Sequence, residues 1–92
     1  MKYDLIFTPE SERHLLAWKK SGQKKVLKKI LDLFIELQNH PTTGTGQVEQ
    51  LKGNLSGLWS RRITKGERLI YSIQDDKVIV TVVSLKGHYD DK

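Results

Sequence analysis

The succession of hydrophobic periodicities predicts an α+β domain, an antiparallel sheet of about four to five strands with two N-terminal helices packed on one face. Three features carry that prediction. A short, loosely alternating run from Tyr3 to Phe7 stops at Thr8-Pro9. Two stretches with helical spacing follow it, and after residue 46 at least three extended runs are joined by tight turns. The 92 residues suit one domain spanning 1–92, with no internal repeat and no linker.

The elements follow in order. Tyr3 to Phe7 reads as a first strand, after which Thr8 can cap a helix and Pro9 suits its first turn. That helix should run to about Lys20, with Ser11, Leu15 and Trp18 on one stripe, and Ser21-Gly22 stops it. From about Gln23 to Gln38 the residues Val26, Ile30, Leu33, Phe34 and Leu37 recur at helical spacing, and Leu27, Leu31 and Ile35 widen the stripe. Lys19, Lys20, Lys24, Lys25, Lys28 and Lys29 crowd the junction of the two helices and read as a solvated face able to steer a polyanion. Asn39-His40-Pro41 ends the second helix. The Thr- and Gly-rich segment through Gly46 predicts a mobile loop with little side chain to anchor it. Val48 to Leu51 leads into a hairpin, Asp75-Asp76 makes the next turn, and Lys77 to Ser84 reads as a strand covered on at least one face.

The hairpin between Leu58 and Tyr71 admits two registers. A two-residue loop at Lys65-Gly66 would mix arginine and aliphatic side chains on both faces. A three-residue loop from Thr64 to Gly66 puts Ile63 opposite Glu67 and Arg62 opposite Arg68. Trp59, Ile63, Leu69, Tyr71 and Ile73 then share one face, and Leu58, Ser60, Arg62, Arg68, Ile70 and Ser72 the other. Like charges directly opposite cost up to roughly 1 kcal/mol, so folding alone does not recommend the arginine pair. A bound anion would.

The net charge of +5 points the same way, toward a polyanionic partner and nucleic acid first. There is no cysteine, no apolar stretch long enough to span a membrane and no secretory pattern at the N-terminus, so a soluble cytoplasmic protein is expected. The three histidines show no metal-ligand spacing, and no phosphate-binding glycine loop or nucleophilic serine motif is present, so neither metal nor cofactor is expected. His14 and His40 are assigned to structure or solvent, Trp18 and Trp59 to the core or an interface.

What remains suits cleavage of RNA without a metal. A base must take the proton of a ribose 2′-hydroxyl, cations must hold the charge that builds on the phosphate, and an acid must protonate the departing 5′-oxygen. Glu49 can serve as the base, Arg62 and Arg68 as the phosphate clamp, and His88 as the acid, since imidazole titrates near neutrality. Tyr89 can stack on a base or hydrogen-bond the phosphate, and Lys52 adds a further positive charge. Taken singly, each is also an ordinary surface residue, and Asp75, Asp76, Asp90 or Asp91 are available to pair the arginines.

Over nearly its whole length the chain resembles the Txe/YoeB family of bacterial toxins, within the group that includes RelE and ParE. The resemblance is densest in Leu51-Lys52, Asn54-Leu55-Ser56-Gly57, Trp59-Ser60-Arg61-Arg62-Ile63-Thr64 and Arg68-Leu69, and His88-Tyr89 is similar to the family's closing dipeptide. It implies a RelE-like fold and a ribosome-dependent endoribonuclease that cuts mRNA in the A site. By the same resemblance Glu49 is the general base, His88 the general acid, Arg68 the phosphate-stabilising arginine and Tyr89 the terminal active-site tyrosine, with Arg62 and Lys52 as auxiliary RNA-binding positions. The implied partners are the ribosome with its mRNA, a cognate YefM/Axe-like antitoxin and a second copy in a homodimer. The chain departs from the family pattern in three places. Asp90-Asp91-Lys92 follow the His-Tyr pair, Val48 and Gln50 flank Glu49 where prolines are usual, and Lys65-Gly66 replaces a usually acidic pair. ParE-like relatives that bind DNA gyrase share the fold, which makes a non-catalytic binding toxin the rival reading.

Overall fold

The structure, a computed structural model, describes residues 2–87. Its elements are β1 (Asp4–Phe7), α1 (Pro9–Lys20), α2 (Lys24–Asn39), β2 (Glu49–Gln50), β3 (Leu58–Arg62), β4 (Arg68–Gln74) and β5 (Ile79–Ser84), with short 3-10 turns at Gly53–Leu55 and Asp75–Lys77. The five strands form one sheet in the order β1-β5-β4-β3-β2.

The sheet is mixed rather than purely antiparallel, because β1 pairs parallel to β5, Leu5 with Val80 and Phe7 with Val82. No tight turn joins those two strands. Consecutive strands from β2 onward are tied by short connections that force antiparallel pairing, whereas β1 is separated from β5 by both helices and most of the chain. Its direction is set by where the helices must lie.

The start of α1 is fixed from several sides. Thr8 Oγ1 accepts from the Ser11 amide at 3.1 Å and donates to the Val83 carbonyl at 2.9 Å, with Pro9 opening the helix. Val83 is the extra residue of a bulge, since Tyr71 pairs with Val82 and Ile70 with Ser84. The capping hydroxyl therefore also binds the carbonyl at that irregularity. Trp18 is buried at the other end of the helix, its Nε1 donating to the Leu85 carbonyl at 2.8 Å.

The core lies between the helix pair and one sheet face. Ile30, Leu33, Phe34 and Leu37 of α2 meet Ile63, Leu69, Tyr71, Val80 and Val82, and Phe7 packs edge-on against Phe34 at 5.3 Å. The α2 stripe is narrower than the sequence suggests. Leu31 and Ile35 stay exposed because the sheet beneath is reached only by the residues on the inner side of the helix. The lysines at the helix junction are exposed apart from the half-buried Lys29. His14 is structural, its Nδ1 accepting from the Leu85 amide at 3.1 Å.

Candidate active site

The hairpin register with the three-residue loop is the one adopted. Arg62 pairs with Arg68, Ser60 with Ile70 and Trp59 with Tyr71, and the Ile63 amide donates to the Glu67 carbonyl at 2.9 Å across the Thr64 to Gly66 loop. On the other side of β3, Glu49 pairs with Ser60. Directly opposed residues share a face, so Glu49, Ser60, Arg62 and Arg68 all belong to the face away from the helices.

On that face an open cleft of about 300 Å³ is lined by Gln47, Val48, Glu49 and Arg68. Glu49 and Arg68 are 19 residues apart in sequence and come from strands that do not touch, β3 standing between them. Ser60 links the two. It pairs with Glu49, and its Oγ accepts from Arg68 Nη1 at 3.0 Å. Among the described residues no carboxylate lies within salt-bridge distance of Arg68 or Arg62, so neither arginine is neutralised by Asp75 or Asp76. Arg62 is exposed opposite Arg68, whereas Lys52, also exposed, precedes the Gly53–Leu55 turn and is not part of the cleft lining.

The end of the described chain runs beside the same cleft. The Arg68 amide donates to the Gly87 carbonyl at 2.8 Å, and the Gly87 amide donates to the Glu67 carboxylate at 2.9 Å. His88 and Tyr89, the expected acid and terminal tyrosine, lie outside the described residues.

A family profile described as the YoeB-like toxin of bacterial type II toxin-antitoxin systems matches residues 7–89. The chain belongs to this family. It is 40% identical to Toxin YoeB of Escherichia coli K12 over 85 residues, which is 92% of this chain and 98% of that one. The YoeB/ParE toxin from Agrobacterium tumefaciens superposes with a TM-score of 0.87 at 31% identity, covering 94% of this chain and 99% of the other. YoeB from Staphylococcus aureus, solved in a heterotetrameric YoeB-YefM complex, gives a TM-score of 0.79 at 31% identity, covering 97% of this chain and all of the other. The S. aureus protein is also known as a dimer. This YoeB-family chain is thus a toxin of a type II toxin-antitoxin system with a RelE-like α+β fold.

Two residues of the site went unassigned in the sequence. Ser60 falls on the open face by alternation, but a serine carries no signal of what it will bind. Arg61 is the larger omission. It sits between Trp59 and Ile63 on the core-facing side of β3 and has no solvent exposure. A charge falling on an apolar face must find a buried partner, and that was the available signal. The partner is Glu36 of α2, whose Oε1 accepts from Arg61 Nη1 at 2.8 Å. Burial pushes the Glu36 carboxyl up. Hydrogen bonds from the Thr45 hydroxyl and amide, with the Arg61 and Lys29 charges, outweigh that and leave it below the ordinary carboxylate range.

This pair also overturns the expectation of an unanchored 41–46 loop. The anchor comes from elsewhere in the fold. Arg61 Nη2 donates to the His40 and Thr43 carbonyls at 2.6 and 2.7 Å, and Tyr71 Oη donates to the Pro41 carbonyl at 2.7 Å. Among the described residues no cluster of three histidine, cysteine, aspartate or glutamate side chains is able to hold a metal ion, and no helix is long and apolar enough to cross a membrane.

Proposed function

We propose that this toxin is a ribosome-dependent mRNA interferase, and that the cleft between Glu49 and Arg68 is where it cuts. Glu49 takes the proton of the ribose 2′-hydroxyl. The freed oxygen attacks the adjacent phosphorus, and the bond from phosphorus to the 5′-oxygen breaks. Arg68 holds the charge that builds on the phosphoryl oxygens, and His88 gives the leaving 5′-oxygen its proton. The products are a 2′,3′-cyclic phosphate and a 5′-hydroxyl, with no metal in the cycle. Arg62 and Lys52 bind the RNA backbone on either side, and Tyr89 contacts the nucleotide being cut.

The observation that carries this reading is the convergence of Glu49 and Arg68 on one cleft, with Arg68 held by Ser60 and, among the described residues, by no carboxylate. An arginine left to a neutral hydroxyl keeps its charge available for a phosphate. Support for His88 and Tyr89 comes from the family resemblance and from Gly87, the residue just before them, which is bonded to the Arg68 backbone. The RNA is presented in the ribosomal A site, in the cytoplasm. A YefM/Axe-like antitoxin neutralises the toxin, as the S. aureus YoeB-YefM complex suggests, and two copies form a homodimer, as that protein also does.

The test is cleavage of a defined mRNA by antitoxin-free protein with EDTA, at chelator levels that leave ribosomes assembled. Free RNA is compared with RNA in a ribosome whose A site is empty. A discrete A-site cut ending in a cyclic phosphate, lost in Glu49→Gln, Arg68→Ala and His88→Ala, is the expected result. Intact mRNA from folded protein would sink the reading and favour a toxin that acts by binding gyrase.

A further inference from the structure

We infer that Arg61 is a positioning residue for the cleft: it fixes the 40–46 segment and, through it, the edge strand that carries Glu49. This rests on the reading of Glu49 as the base.

The guanidinium is fully committed. Nε donates to Tyr71 Oη at 3.2 Å, Nη1 to Glu36 Oε1 at 2.8 Å and to the Thr45 carbonyl at 3.4 Å, and Nη2 to the His40 and Thr43 carbonyls. An arginine has five N–H groups in a rigid fork, and each of these finds an acceptor. Tyr71 extends the grip to the Pro41 carbonyl, so two side chains of the hairpin bind four carbonyls of one segment. Glu36 closes the arrangement from α2, accepting from the Thr45 amide at 2.8 Å and the Thr45 hydroxyl at 2.6 Å.

The segment is shaped to receive that grip. A Cβ on Gly44 would collide with Glu36 Oε1 and come within 2.8 Å of Arg61 Nη1, at a φ of +123° that favours glycine in any case. At the end of the segment the Gly46 carbonyl accepts from the Arg62 amide at 2.6 Å, which fixes where the chain rejoins β3. Gln47 then turns with φ of 53°, Val48 follows, and both line the cleft before Glu49.

Glu49 needs such help because β2 is only two residues long and lies at the sheet edge. So short a ladder holds its residues weakly, and the preceding segment decides where the carboxylate stands. A buried ion pair is by itself weak support for a fold, since well-packed apolar residues often serve as well. Apolar side chains cannot bind carbonyls. The charge at Arg61 therefore serves placement, and a general base displaced by about 1 Å can lose roughly 100-fold in rate.

Two variants test this. Arg61→Lys keeps the charge and reduces the fork to three N–H groups. Gly44→Ala deletes no donor or acceptor and presses a Cβ against Glu36 Oε1 and Arg61 Nη1, so it is the one to use should Arg61→Lys fail to fold. Hydrogen exchange over residues 42–50 reads the placement directly, and single-turnover cleavage of ribosome-bound mRNA reads its consequence. Faster exchange of the 45–49 amides is expected, with kcat lower by about 100-fold and KM changed by less than about threefold. In a Glu49→Gln background, Gly44→Ala should then cost less than about threefold more, because both changes act through one group. A structural role alone would lower the rate by the same factor in both backgrounds, and that result overturns the inference. Unchanged exchange in both variants also overturns it, as does wild-type kcat in a variant whose exchange has risen. Absence of cleavage by the wild type would sink the reading of the site itself, and the inference with it.

Discussion

Arg68 Nη1 and Ser60 Oγ are 3.0 Å apart, and Ser60 is also the cross-strand partner of Glu49. One small buried hydroxyl thus stands between the two groups that the proposed chemistry requires. Its bond aims the guanidinium without neutralising it. Removing a charge-stabilising donor outright costs about 2.7–4 kcal/mol in the barrier, so Arg68→Ala should lower single-turnover cleavage by roughly 100- to 1000-fold. Ser60→Ala leaves the charge and removes one hydrogen bond, and should cost roughly 3- to 10-fold. Equal losses in the two variants would mean that Ser60 does more than aim Arg68.

Glu36 gives the fold a defined acid limb. Its folded carboxyl lies below the ordinary carboxylate range, so the stability it contributes is fully present above that range and is lost as pH falls through the lowered value. Between about pH 5 and about pH 3 the Tm of the wild type should fall more steeply than that of Glu36→Gln, which has no carboxyl to protonate at this position. At neutral pH the same variant should be the less stable of the two, because it leaves the Arg61 charge buried without its counterion. Parallel Tm curves would remove Glu36 as the origin of the acid limb.

Tyr71→Phe removes two hydrogen bonds of the loop anchor. It deprives the Pro41 carbonyl of its donor and Arg61 Nε of its acceptor, with little change in packing. Leaving buried polar groups unsatisfied costs about 1–3 kcal/mol. For a domain of this size each kcal/mol shifts Tm by roughly 4–8 °C, which thermal unfolding will register. A shift under about 2 °C would mean that water replaces the hydroxyl at no cost.

Arg62 should respond in opposite directions in two assays. It is exposed directly opposite Arg68, so Arg62→Ala removes a like-charge contact and should leave stability unchanged or raise it by up to about 1 kcal/mol. RNA binding should weaken, and the slope of log affinity against log salt should become shallower by about 0.7, the contribution of one phosphate contact on a single strand. Titration at several salt concentrations measures the slope, and an unchanged slope would place Arg62 off the RNA path.

The sequence alone determined a good deal. Thr8-Pro9 opened α1, the recurrence from Val26 to Leu37 made α2, and the gathering of most apolar residues on one hairpin face chose the register that set Arg62 against Arg68. These are local choices, in which neighbouring residues have one arrangement that gathers most of the apolar surface on one face. Candidates for the proposed acid, base and phosphate clamp could be named as well, from the side-chain types that such chemistry uses. Tertiary structure decided what depends on partners far along the chain. The direction of β1 followed from helix packing, since no turn ties it to β5. The segment before Glu49 read as unanchored because its own side chains offer little, and its anchor proved to be Arg61, at least fifteen residues away on another strand. A buried arginine binds whatever carbonyls the fold brings to it, and sequence spacing carries no record of which those will be.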